Sequence, residues 1–135
     1  MSKPITAIEG IGPSFAEKLE VAGIKTVESL LQHCGARAGR KEIAEKSGIT
    51  EAMILNWVNM ADLFRVNGIA GQFAELLKAT GVDTVKELAQ RNPENLHKML
   101  TDTNAEKKLT KTVPALSQVM TFVQQAKELN QLVFH

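Results

Sequence analysis

Residues 8–31 read IEGIGPSFAEKLEVAGIKTVESLL, and residues 66–89 read VNGIAGQFAELLKATGVDTVKELA. Placed 58 positions apart without a gap, Gly10, Ile11, Phe15, Ala16, Glu17 and Leu19 recur as Gly68, Ile69, Phe73, Ala74, Glu75 and Leu77. Gly23, Thr26, Val27 and Leu30 recur as Gly81, Thr84, Val85 and Leu88. Identity of this extent at one fixed spacing marks an internal duplication, so the chain is read as two copies of one unit.

The stretch dictates its own local structure. Gly10 and Gly12 flank a single apolar residue, Ile11, and let the backbone turn sharply. Pro13 suits the first position of a helix, where its missing N–H costs nothing. The pattern predicts a helix over 13–22 with Phe15, Ala16 and Leu19 inward and Glu17, Lys18 and Glu20 toward solvent. Gly23 closes it as the left-handed residue after the last turn. Ile24 enters the core, and Thr26 caps a second helix that buries Val27, Leu30 and Leu31. Gly81, Val82 and Thr84 are expected to repeat those three roles. A helix that starts at such a turn points free N–H groups outward, and these attract anions.

Beyond this core the copies diverge. The first passes a glycine-rich joint at 35–39, then RKEIAEKS and SGITEAMILNWVNMADL, both helical in pattern. The second passes Asn92-Pro93, a cap and first-turn pair, into ENLHKML, then the polar TDTNAEKKLTKT and VPALSQVMTFVQQAKEL. Matching the two long helices at an offset of 66 pairs Ile54 with Met120, Trp57 with Val123, Met60 with Ala126 and Leu63 with Leu129. That makes the second copy longer by about eight residues. The helix starting near Thr50 runs into the second turn and serves as its first helix. The expected fold is all-α, with units at 1–62 and 63–135 packed as one duplicated helical body. The apolar Leu132, Val133 and Phe134 after the last helix either cap that body or pair with another chain.

Composition narrows the function. The 135 residues are 44% hydrophobic, with no Tyr, one Trp and five Phe, which leaves little for a base-stacking platform. Formal charge is +1, with seven basic against eight acidic residues in 1–62 and nine against seven thereafter. Any affinity for nucleic acid therefore rests on local geometry rather than a summed basic field. A single cysteine, Cys34, excludes an internal disulfide and fits a reducing compartment. With no apolar leader and no stretch of membrane-spanning length, the expectation is a cytoplasmic protein with no membrane partner.

GIGPS followed by its helix resembles the helix-hairpin-helix motif, whose usual ligand is a nucleic-acid phosphate. Each unit, from KLEVAGIKTVESL to KSGITEAMILNWVNMADL, is similar to the N-terminal domain of eukaryotic and archaeal strand-exchange recombinases. It is more loosely similar to the C-terminal domain of the RNA polymerase alpha subunit. Over about residues 5–129 the tandem arrangement resembles an uncharacterised bacterial family with paired helix-hairpin-helix units of the SAM-like class. The GIGP opening, the RK-E-AE-GI segment and QRNPENLH carry that likeness.

What the resemblance implies is backbone donation to phosphates along one groove edge, at Gly10, Ile11, Gly12, Ser14 and Phe15, with the Ser14 hydroxyl and Lys18 in support. In the second hairpin the matching positions are Gly68, Ile69, Gly71 and Gln72. There Ala70 replaces Gly12 and Leu76 replaces Lys18, which weakens that site; Arg65 and Gln72 are the residues placed to compensate. A weaker anion site is expected at 48–50, the start of the helix after Lys46-Ser47.

Each of these signals also has a plain structural explanation. Close helix packing alone is a sufficient reason for the glycines, and Glu9 and Glu17 would repel a phosphate. Trp57, in helical register with Ile54 and Ala61, reads as core. His33-Cys34 lacks two further ligands for zinc, and His97 and His135 are far off in sequence. Lys107, Lys108 and Lys111 form a basic cluster that suits a solvated face or a secondary phosphate contact. No nucleophile motif, phosphate-cradling loop or carboxylate pair marks an enzyme. The expectation is a non-enzymatic module, without cofactor or metal, that binds double-stranded DNA irrespective of sequence; the alternative is a protein-interaction adaptor on the same scaffold.

Overall fold

Among residues 3–135, which a computed structural model describes, the chain forms eight α-helices and no strand. Among the described residues the one extended pairing is an isolated bridge between Pro4 and Thr26. The all-α expectation holds. Among the described residues no helix is long and apolar enough to cross a membrane.

The helices gather into two units. One is Met1–Asp62 with Leu132–His135, and the other is Leu63–Gln131. The first contains a 3-10 turn (Ile5–Ala7), α1 (Pro13–Val21), α2 (Val27–Cys34), α3 (Arg37–Ser47) and nearly all of α4 (Glu51–Leu63). The second contains α5 (Gly71–Ala79), α6 (Val85–Ala89), α7 (Pro93–Lys107) and α8 (Leu116–Glu128). Within the first, α1 and α2 pack on α3 and on the 3-10 turn; within the second, α6 and α7 pack on α8 and α5 on α7. The final four residues thus leave the second span and join the first unit, where Val133 is buried.

Each unit has its own apolar centre. Ile8, Leu19, Ile24, Leu30 and Ile54 fill the first; Ile69, Leu77, Leu88, Leu96 and Leu100 fill the second. In α1 only Leu19 is fully buried, while Phe15 and Ala16 are half-buried. Thr26 starts α2 as expected: its hydroxyl oxygen accepts the Ser29 N–H at 3.0 Å, and the Ser29 hydroxyl oxygen accepts the Thr26 N–H at 3.1 Å. Thr84 does not repeat this role. Its hydroxyl donates to the Glu87 carboxylate, because the residue three places into α6 is Glu rather than Ser.

Two of these expectations need correction. The joint at 35–39 is shorter than its glycines imply, since α3 begins at Arg37 and Gly39 is helical. A Cβ on Gly39 would lie on the His33 carbonyl oxygen, so this glycine allows α2 and α3 to approach. The polar stretch 101–107 continues α7, which ends where Lys108 takes a left-handed φ of 52°. Asn104 then fastens the following loop, donating Nδ2 to the Thr110 carbonyl at 3.0 Å and accepting the Thr110 N–H at 2.9 Å.

The second correction is the register of the long helices. An offset of 65, not 66, pairs Ile54, Trp57, Val58 and Ala61 with Val119, Phe122, Val123 and Ala126, all of them buried. Hydrogen bonding agrees: the Ile54 N–H donates to Thr50 and the Val119 N–H to Ala115. The offset of 66 pairs buried Ile54 with Met120, which is 53% exposed. Hydrophobicity alone does not separate Met120 from Val119; the side of the helix that faces the core does.

Candidate nucleic-acid interface

The two glycine turns have the same construction. Gly10 and Gly68 sit at φ 94° and 96°, a left-handed region that side chains with a Cβ resist. One residue later the Ile11 N–H donates to the Ile8 carbonyl and the Ile69 N–H to the Val66 carbonyl, both at 3.1 Å. Both isoleucine side chains are buried. Ile11 and Ile69 are therefore not donors to an external anion: their N–H groups are consumed in the turn.

An aromatic pair backs each turn. In the first unit Phe15 meets Trp57 edge-on at 5.2 Å between ring centroids, and a Cβ on Gly10 would lie 3.4 Å from the Trp57 indole nitrogen. In the second, Phe73 lies 6.4 Å from Phe122, and a Cβ on Gly68 would approach the Phe122 ring to 2.9 Å. Trp57 is 3% exposed, in keeping with its reading as core. It also fixes the Gly10 turn from beneath.

Gly12 is different in kind. It caps α1 at φ −89° and ψ −173°, ordinary extended backbone, and a Cβ placed there would meet nothing within 4 Å. Ala70 holds the same position before α5 at φ −117° and ψ −175°. The fold accepts a side chain at this place, so packing does not account for glycine at position 12. No side chain caps α1, and among the described residues the N–H groups of Ser14 and Phe15 meet no acceptor. Gly12, Pro13 and Ser14 are exposed. The arrangement leaves an open helix start carrying partial positive charge.

Around it lie groups of both signs. The Lys18 ammonium stands 5.7 Å from the centroid of the Phe15 ring, within cation–π reach. A shallow cleft of about 320 Å³ runs beside α1, lined by Ser14, Glu17, Lys18 and Val21 with Lys46 and Ser47 from the end of α3. The Lys46 ammonium meets Glu42 at 2.9 Å, and that hydrogen bond holds the Glu42 carboxyl below the ordinary carboxylate range. Glu9 and Glu17 are exposed. The cleft joins Lys18 to Lys46, which lies 28 positions later in sequence. Sequence reading placed Lys46 beside a separate anion site at 48–50; there the Thr50 hydroxyl oxygen already accepts the Met53 N–H at 3.2 Å, and α4 is capped by its own chain.

The second turn offers less. No side chain caps α5, Gly71 is half-buried and Gln72 is exposed. Leu76, which replaces Lys18, is fully buried, so no side chain projects to solvent there. Arg65 donates to the Asn130 carbonyl at 2.7 Å. Lys107, Lys108 and Lys111 are exposed around the end of α7, as a solvated cluster. His33 and His135 are exposed and His97 is half-buried.

Sequence reading missed one buried cation. Arg40 is 3% exposed and donates Nη1 to the Cys34 and Gly35 carbonyls at 3.0 and 2.8 Å, and Nη2 to the Phe134 carbonyl at 2.7 Å. Burial pulls its pKa down from the usual arginine value. Burial also pushes the neighbouring Cys34 thiol up to about 11, against the opposing pull of Arg40. That thiol stays protonated at neutral pH and is a packing group, not a nucleophile.

A family profile described as a domain of unknown function, DUF4332, matches residues 9–129. No curated protein and no solved structure matches the chain.

Proposed function

The chain belongs to the DUF4332 family, and we propose that it is a non-enzymatic helical module that binds double-stranded DNA without regard to sequence. The reading takes each unit as a helix-hairpin-helix copy. The closely similar φ of Gly10 and Gly68, and the matching Ile11 and Ile69 hydrogen bonds, support that. The phosphate contact falls on the first hairpin, at the backbone of Gly12, Ser14 and Phe15, with Lys18 alongside. The observation that carries it is Gly12: a glycine that the fold does not require, exposed, at an uncapped helix start. A glycine in such a place lets a phosphate approach the backbone closely. The second hairpin, with Ala70 and buried Leu76, contributes shape to its own unit rather than charge.

A binding series against a short random-sequence duplex tests the proposal. Affinity should fall as salt rises, with a slope of log K near −0.9 for each phosphate neutralised. Gly12→Asp should weaken binding roughly tenfold or more, since it sets a carboxylate at the helix start. Helical content should stay at the wild-type level because position 12 has room for a side chain. Absence of binding at low salt would sink the DNA reading.

A second reading, a protein-interaction adaptor, is favoured by one observation: Val21 is 81% exposed on the outer face of α1 beside Glu17 and Lys46. Under that reading Val21→Ser abolishes partner binding while Gly12→Asp does not.

A further inference from the structure

A groove of about 200 Å³ opens in the second unit where α6 meets the end of α8. Val85 and Ala89 of α6 line it together with Ala126 and Leu129. Val85 and Ala126 are buried and Ala89 and Leu129 half-buried, so much of the lining is apolar. An apolar cavity of about 150 Å³ admits a group the size of benzene, so one aliphatic side chain fits here.

Lys86 on α6 and Lys127 on α8 line the same groove, and both are exposed. Among the described residues neither ammonium meets a carboxylate, and no carboxylate lines the groove. The acids beside them in sequence are engaged elsewhere: Glu87 accepts from the Thr84 hydroxyl, and Glu128 from the Gln124 amide at 3.5 Å. The cleft beside α1 also holds two lysines, but Glu17 lines it and Lys46 is already bonded to Glu42. Only the groove on α6 and α8 joins an apolar lining to charge of a single sign.

The matching positions of the first unit are closed and acidic. At the 58-residue spacing Ala89 corresponds to Leu31, which is 6% exposed. At the same spacing Lys86 corresponds to Glu28, whose carboxylate accepts the Lys3 N–H at 2.9 Å. At the 65-residue spacing of the long helices Lys127 corresponds to Asp62, which is 2% exposed. The second unit therefore has less apolar volume and reversed charge at one place. Cohesion of the unit calls for neither change, since a leucine cut back to alanine gives up packing.

We propose that this groove docks an acidic segment of a partner protein. One aliphatic side chain of the segment enters between Lys86 and Lys127, and carboxylates on either side of it meet the two ammonium groups. Charge complementarity selects the acids, and the apolar lining selects the side chain between them. A nucleic-acid phosphate would suit the lysines but would lose water against the apolar lining without gaining a contact there. The groove belongs to the second unit and the proposed DNA contact to the first, so either inference stands without the other.

The test titrates the full chain with the acetylated, amidated peptide EELEE and follows the amide signals of Lys86, Ala89, Ala126 and Lys127. Saturable shifts are expected, and affinity should weaken as salt rises. EESEE, which lacks the anchor, and KKLKK, which reverses the charge, should each bind at least about tenfold more weakly. Ala89→Leu, which restores the first unit's side chain, should lower affinity for EELEE at least about tenfold at unchanged helical content. Lys86→Glu combined with Lys127→Glu should turn the preference toward KKLKK. Both positions are exposed, so this pair decides the matter should Ala89→Leu lose its helical signal.

The proposal is overturned by the absence of saturable shifts with EELEE, by EESEE binding as tightly, or by an unchanged preference in the double variant. A short random-sequence duplex that shifts the same four amides more strongly than EELEE also overturns it, and makes the groove a nucleic-acid contact instead.

Discussion

The turn at 10–15 and the turn at 68–73 share a backbone and differ in what is built on it. Both place glycine at positive φ, both close with an isoleucine N–H, and both rest on an aromatic pair. The shared features are those the fold requires. What differs is Gly12 against Ala70, exposed Lys18 against buried Leu76, and a Trp57 backing against Phe122. Comparing the two turns inside one chain separates scaffold from candidate site. A residue shared by both turns has a structural cause in both, and an exposed residue found only in the first needs another reason.

The largest test of that separation is removal of the aromatic backing. Trp57→Ala should cost about 3–5 kcal/mol in denaturant unfolding. As Trp57 is the only tryptophan, Phe15→Leu should perturb its emission, whereas Phe73→Leu in the other unit should leave it nearly unchanged.

Alanine at the two turn glycines comes next. Gly68→Ala should destabilise by about 2–4 kcal/mol, combining left-handed strain with the approach to Phe122. Gly10→Ala should cost about 1–2 kcal/mol, because its nearest neighbour stands at an ordinary 3.4 Å. Equal losses would show that strain alone decides both turns.

A gentler contrast lies at the exit of α2, where the first unit has Cys34 and the second has the capping Asn92. The folded thiol has its pKa raised from 9.0 to about 11. Below pH 9 both folded and unfolded chains hold the proton, and nothing is gained or lost. Between 9 and 11 the unfolded chain ionises first, so stability falls as pH rises through that window. Cys34→Ala should remove that fall, as read from melting temperature against pH.

Smallest of all, Gly12→Ala should change stability by less than about 0.5 kcal/mol, matching the alanine at position 70. A larger loss would return Gly12 to the scaffold and take away the main support for a phosphate contact there.

Much of this molecule was legible in the chain. The repeat identified the two turns, the Thr26 cap and the burial of Leu19, Leu30 and Trp57, because each follows from local chemistry or helical period. The helix carrying 101–107 was not legible, since a polar run gives no apolar stripe to count. The one-residue error in matching α4 to α8 arose because Met120 and Val119 are both apolar and adjacent. At the candidate site, the open position of Gly12 was only half visible. Sequence offered glycine there, while its φ and the empty space around it separate a required glycine from a permitted one.

The sequence by itself determined the all-helical class, the likeness of the two glycine turns and the starts and stops of most helices. Glycine, proline and capping residues act within a few positions of themselves, and apolar spacing acts within a few turns. Only the tertiary structure decided that Lys18 and Lys46 share a cleft and that Leu132–His135 returns to the first unit. It also decided that Arg40 is buried. One of its three carbonyl acceptors lies 94 positions away, and no local pattern encodes a partner at that separation.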